Sequence, residues 1–94
     1  MEIKNSVAVI TGGASGIGEA VAETLAVKGA KIVIGDMDIK GLERVAQEIT
    51  ASGGEAVYAK CDVTRDEDVA ALMDLAIEKF GRLNICVACA GIIK

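Results

Sequence analysis

The stretch Val7-Ala8-Val9-Ile10-Thr11-Gly12-Gly13-Ala14-Ser15-Gly16-Ile17-Gly18 decides the fold. Its first four residues form a continuous apolar run, the pattern of a strand buried on both faces in a parallel sheet. Glycines follow at once. Helical spacing then takes over, with Ile17, Val21 and Leu25 on one face and Gly29 as a C-terminal stop.

The same alternation repeats along the rest of the chain. Ile32-Val33-Ile34 is a second strand ending at Gly35-Asp36, and Asp38 can cap a second helix with an inward stripe of Leu42, Val45, Ala46 and Ile49. Gly53-Gly54 breaks that helix, and Ala56 to Ala59 reads as a third strand. Thr64-Arg65-Asp66-Glu67 fits a capping box, with Glu67 reaching back to a Thr64 cap. The helix it opens carries Val69, Leu72, Met73, Ala76 and Phe80 and stops at Gly81, after which Leu83 to Ala88 is a fourth strand. Right-handed crossovers turn this order into an α/β fold, a three-layer open parallel sheet with helices on both faces. A strand order of 3-2-1-4 is expected, with ligands bound outside the carboxyl ends of the strands where the winding reverses.

Composition narrows the chemistry. The 94 residues suit one small domain, and 52% hydrophobic with 26% charged residues is a globular mixture. Fourteen acidic against ten basic residues, net −4, argue against a nucleic-acid partner, which needs clustered Lys and Arg. Tyr58 and Phe80 are the only aromatics, so a base-stacking platform is lacking. Histidine does not occur, which removes every histidine-based triad or metal site, and no metal is expected. No apolar run approaches a membrane span, no secretory core is recognisable, and three cysteines suggest free thiols, so the cytoplasm is the expected compartment.

Gly12, Gly16 and Gly18 lie where a strand hands over to a helix. A diphosphate must approach backbone N–H groups there, and side-chain bulk would block it. The spacing G-x-x-x-G-x-G differs from G-x-G-x-x-G, and the absence of a following Gly-Lys-Ser/Thr excludes a P-loop. A tight turn without a ligand is the bland alternative. Asp36 weighs against it, since it ends the second strand eighteen residues after Gly18, near the offset of a ribose-binding acid. Its carboxylate can accept from both adenosine-ribose hydroxyls and would repel a 2′-phosphate, so NAD is expected over NADP.

Thr11 to Gly18 resembles the T-G-x-x-x-G-x-G fingerprint of the short-chain dehydrogenase/reductase family. Cys61-Asp62-Val63 is similar to that family's D-V element, and Ala88-Cys89-Ala90-Gly91 to its N-N-A-G segment. The resemblance runs from about Ser6 onward and implies a Rossmann-like domain, the N-terminal part of one NAD(P)-binding unit. It implies that Ser15 and Ile17 contact the phosphates and adenosine, that Asp36 and Met37 take the ribose, and that Asp62 and Val63 read the adenine edge. Cys89, Ala90 and Gly91 would line the wall beside the ribose. Neither Ser15 nor Met37 is basic, which fits NAD. The sequence departs from the pattern at Ala88 and Cys89, where asparagines are usual.

The family's hydride chemistry on alcohols and ketones uses a Tyr-x-x-x-Lys pair and a serine, all expected beyond Lys94. Tyr58 has Asp62 four residues on and is read as packing, so no catalytic residue is expected in this chain. A complete parent would be an NAD-dependent oxidoreductase with a small-molecule substrate and a homo-oligomeric form; the chain alone is expected to be inactive. The apolar fourth strand would be a bare sheet edge, as in a domain cut short. Two other classes stay open: a stand-alone nucleotide-binding or interaction module, and a redox module built on Cys86-x-x-Cys89. Extended chain puts those two Cα atoms about 10 Å apart, beyond disulfide reach, so buried inert thiols are expected.

Overall fold

Strands and helices alternate through the chain as β1 (Val7–Thr11), α1 (Gly16–Val27), β2 (Lys31–Asp36), α2 (Ile39–Ala51), β3 (Glu55–Lys60), α3 (Asp66–Phe80) and β4 (Ile85–Ala88). The computed structural model describes residues 3–14 and 16–88. All strand pairs are parallel, in the order β3-β2-β1-β4 expected from the sequence. The winding reverses beside β1, which pairs β2 through Val7↔Lys31 to Thr11↔Gly35 and β4 through Ala8↔Ile85 to Thr11↔Ala88.

Every residue of β1 is buried, as its unbroken apolar run requires. Alternate residues feed two separate cores. On one face Ala8, Ile10, Ile32 and Ile34 pack under α1 and α2 with Leu42, Val45, Ala46 and Ile49. On the other, Val7, Val9 and Val33 pack with Cys61 against Leu72 and Ala76 of α3. Each fully buried aliphatic side chain contributes about 1.5–3 kcal/mol relative to exposure. The predicted stripe of α2 is buried in full, and Asp38 caps the helix by accepting from the Gly41 N–H at 3.1 Å.

Three local expectations are corrected. In α1 the buried residues are Gly18 and Ala22, with Val21 and Leu25 only half-buried and Ile17 68% exposed. A residue without a side chain brings the helix closest to the loop, so the inward stripe turns away from Ile17. The capping box does not form: α3 is preceded by Arg65, which caps with no side chain, and Thr64 Oγ1 donates instead to Asp62 Oδ1 at 2.6 Å. Asp62 competes for Thr64 through a local turn, and Asp68 of the first helical turn reaches back to accept from Asp62 N–H at 3.0 Å. Finally, β4 starts at Ile85 rather than Leu83, because Asn84 closes the ladder with its side chain. Asn84 Oδ1 accepts from Val7 N–H at 2.9 Å and Asn84 N–H donates to the Val7 carbonyl at 3.0 Å.

Among the described residues no helix is long and apolar enough to cross a membrane.

Candidate functional site

The carboxyl ends of β1 and β2 meet at the turn that leads into α1. Gly12 and Gly13 N–H groups both donate to the Gly35 carbonyl, at 2.8 and 3.2 Å, which pins the start of the glycine loop to β2. Gly18 shows why a glycine is needed. A Cβ there would collide with the Gly12 carbonyl oxygen, so any side chain would push α1 off the loop. Gly16 is the opposite case, with φ +61° and open space where a Cβ would stand. It and Ile17 are exposed at the N-terminus of α1, where the helix dipole favours an anion. The N–H groups of that first turn, which have no partner within the helix, and the missing Cβ at Gly16 fit a diphosphate.

Asp36 closes β2 and is half-buried beside this loop. Its Oδ2 accepts from Ala14 N–H at 3.2 Å and its Oδ1 from Asp38 N–H at 3.1 Å. Each carboxylate oxygen has a second acceptor position, so a ribose diol could be held without breaking either bond. Met37, next along, is 54% exposed. Glycine loop and acid are therefore joined directly, a link that periodicity and spacing did not disclose.

Asp62 and Val63 follow β3 on the same edge of the sheet. Asp62 is committed locally, since its Oδ1 accepts from both Thr64 N–H (2.9 Å) and Thr64 Oγ1. Those bonds hold its carboxyl below the usual aspartate range. Oδ2 takes no hydrogen bond among the described residues, and Val63 is 37% exposed. The Thr11 hydroxyl, at the switch point, is buried and has no hydrogen-bond partner among the described residues. Ser15, Cys89, Ala90 and Gly91 lie outside the described residues.

The remaining chemistry-bearing groups stand apart. Tyr58 packs at the outer strand of the sheet and is 36% exposed, with its hydroxyl donating to Glu43 Oε2 at 3.3 Å. Desolvation and then the Glu43 charge raise its pKa, the reverse of what an activated tyrosine needs. Cys61 is buried, and desolvation, followed by Asp68, Asp62 and Asp36, pushes its thiol up toward the inert form. Cys86 is exposed, contrary to the expected burial, because α3 packs over β1 and β2 rather than over β4. Two surface concavities, of about 340 and 440 Å³, lie elsewhere, one between α1 and α2 at Glu23 and Glu48, the other between α2 and Tyr58. Neither offers a row of free backbone donors, so the strand ends are the better candidate.

One participant was missed from sequence. Arg44 of α2 donates from Nη2 to the Ala14 carbonyl at 3.1 Å and forms a two-point ion pair with Glu19 of α1 at 2.9 and 3.0 Å. The only available signal was a basic residue on the polar side of α2.

Known proteins share this fold. An uncharacterized oxidoreductase of Listeria innocua is 50% identical over 93 residues, which are 99% of this chain and 38% of that protein. The crystal structure of a hydroxysteroid dehydrogenase from Escherichia coli superposes with a TM-score of 0.89 at 37% identity, covering 93% of this chain and 37% of that one. A short chain dehydrogenase/reductase from Burkholderia phymatum, solved in complex with NAD, gives 0.89 at 40% identity over 92% of this chain and 31% of that one. The chain thus spans about a third of the length of these relatives. With residues 6–94 matching its pattern, the chain belongs to the short chain dehydrogenase family of oxidoreductases.

Proposed function

We propose that the chain is the NAD-binding portion of an oxidoreductase acting on an alcohol or ketone. The observation that supports this reading is the Asp36 carboxylate at 3.2 Å from the Ala14 N–H, which sets an acid against a glycine-rich loop at a helix N-terminus. Gly12, Ser15, Gly16, Ile17 and Gly18 would receive the diphosphate and adenosine side. Asp36 and Met37 would take the ribose, Asp62 and Val63 the adenine edge, and Cys89, Ala90 and Gly91 the ribose wall. NAD is favoured over NADP because a 2′-phosphate would meet the Asp36 carboxylate. The dinucleotide supplies the hydride-accepting carbon when bound.

The residues of this chain hold and orient that ligand; they do not move the substrate proton. Tyr58 is the only tyrosine, its hydroxyl is engaged by Glu43, and no lysine stands four residues on. The proton-transfer groups and substrate pocket belong to further polypeptide in the complete enzyme, so residues 1–94 are read as part of one dinucleotide-binding unit.

Calorimetric titration with NAD and NADP tests the reading. The chain should bind NAD more tightly, and Asp36→Asn, which removes charge while keeping an acceptor, should shift the NAD-to-NADP ratio toward NADP by about tenfold, or ~1.4 kcal/mol. A ratio unmoved by the substitution, or no NAD binding, overturns it.

A further inference from the structure

The geometry points to Arg44 as a positioning residue for the glycine loop, acting through the Ala14 carbonyl; as a route to dinucleotide binding, this rests on the reading above. Ala14 is 2% exposed and is held on three sides. Its N–H donates to Asp36 and its carbonyl accepts from Arg44 Nη2. Its methyl group abuts the first turn of α2, where a Cβ on Gly41 would come within 2.9 Å of the Ala14 Cβ.

The same guanidinium reaches α1. Arg44 Nη1 donates to Glu19 Oε2 at 3.0 Å and Nη2 to Glu19 Oε1 at 2.9 Å, while Glu48 lies 3.5 Å from Nη1. Glu19 directly follows Gly18. One planar group therefore ties the loop carbonyl, the first turn of α1 and the body of α2 together. Only a guanidinium has enough donors in a fixed fork to serve a carboxylate at two points and a carbonyl as well. A lysine would carry the charge but serve these acceptors from a single nitrogen. The ion pair raises the Arg44 pKa and lowers that of Glu19, so both stay charged across the working pH range. Among the described residues Arg44 makes no hydrogen bond to those assigned to the dinucleotide; its effect passes through the backbone it holds.

Amide hydrogen exchange on the ligand-free chain tests the mechanical half directly. Arg44→Met, which keeps the stem length, should speed exchange at the hydrogen-bonded loop amides of Gly12, Gly13 and Ala14 by roughly tenfold while Val33 in the sheet core is unchanged. Titration then compares ligands with and without a diphosphate. NAD and ADP should weaken by about tenfold in Arg44→Met while adenosine stays within about twofold, and Arg44→Lys should recover only part of the loss.

Unchanged exchange in the loop overturns the proposal. So does equal acceleration of loop and core amides, or an equal loss for adenosine and ADP, since a merely structural residue acts that way. If Arg44→Met does not fold, Glu19→Gln provides the comparison and should displace the same loop amides by a smaller amount, with no displacement counting against the proposal. If the unaltered chain binds no dinucleotide, the cofactor reading fails, and the exchange measurement alone still decides whether Arg44 positions the loop.

Discussion

The two faces of the sheet are finished to different degrees. Under α1 and α2, residues from β1 and β2 join four side chains of α2 in a core of eleven buried members, flanked on β3 and β4 by half-buried Ala56, Ile85 and Val87. Under α3 the core has six buried members, and the residues flanking it on β3 and β4 are open or half-open: Val57 and Ala59 are partly buried, and Cys86 is exposed. One helix cannot cover four strands. The glycine loop and Asp36 sit over the finished face, tied to both its helices through Arg44 and Gly41, so the geometry of the candidate site depends mainly on packing that this chain completes for itself.

Core truncation should expose that contrast most strongly. Leu42→Ala removes a fully buried side chain from the two-helix face and should cost about 4 kcal/mol, whereas Leu72→Ala on the one-helix face should cost about 2.5 kcal/mol because α3 can settle toward the sheet. Urea unfolding of both variants measures it. Equal losses would mean the faces are equally rigid. Gly35 makes Leu72 the sharper probe, since the Leu72 side chain fills the space that a Cβ on Gly35 would need (2.6 Å to Cδ2), and its removal leaves α3 that room to settle into.

Gly18→Ala comes next, at about 2 kcal/mol, through forced separation of α1 from the loop. Its signature is a larger loss of NAD affinity than of stability. A variant that keeps full affinity would show that the close approach at Gly12 is dispensable.

How much of this was legible beforehand follows from what each residue interacts with. Periodicity found all seven elements, because β1 opens on four apolar residues and α2 has a clean stripe, and the strand order expected of that α/β alternation was met. It misplaced features set by single hydrogen bonds: the Asn84 side chain that shortens β4, and the Asp62–Thr64 turn that replaces the capping box. The glycines and Asp36 could be named from spacing and the other candidates from the family resemblance, but the Asp36–Ala14–Arg44 connection could not, since it joins residues 22 and 30 positions apart through a backbone N–H and carbonyl present at every residue. Cys86 was misjudged for a similar reason. Apolar neighbours on a strand say nothing about whether a helix lies above it.

A smaller effect separates the charges above the finished face. Burial, followed by the carboxylates of Glu48 and Glu19, raises the Glu23 pKa, while Arg44 lowers that of Glu19. The contribution of Glu23 is therefore most favourable in acid and is lost as pH rises through its elevated value. Glu19 contributes above the ordinary glutamate range and loses that contribution as pH falls through its depressed value. Glu23→Gln should accordingly raise stability at neutral pH, with the gain vanishing below the ordinary glutamate range. Thermal unfolding between acid and neutral pH measures it, and a gain that persisted in acid would show that repulsion is not its source.

The smallest energetic change falls on the open face, yet it carries the clearest signature. Cys61 and Cys86 share that side of the sheet, one under α3 and 2% exposed, the other beyond it on β4 and open. In a Cys89→Ser background, a thiol reagent at native pH should modify Cys86 at once and Cys61 only as the chain opens, while Cys86→Ser should alter stability by less than about 0.5 kcal/mol. Whatever covers β4, further polypeptide or a second copy of the chain, would close the gap between the two rates by shielding Cys86. Shielding that grows with protein concentration would assign the cover to a second copy, and shielding independent of concentration would mean that the one-helix face is closed within the chain, which would erase the asymmetry between the two sides of the sheet.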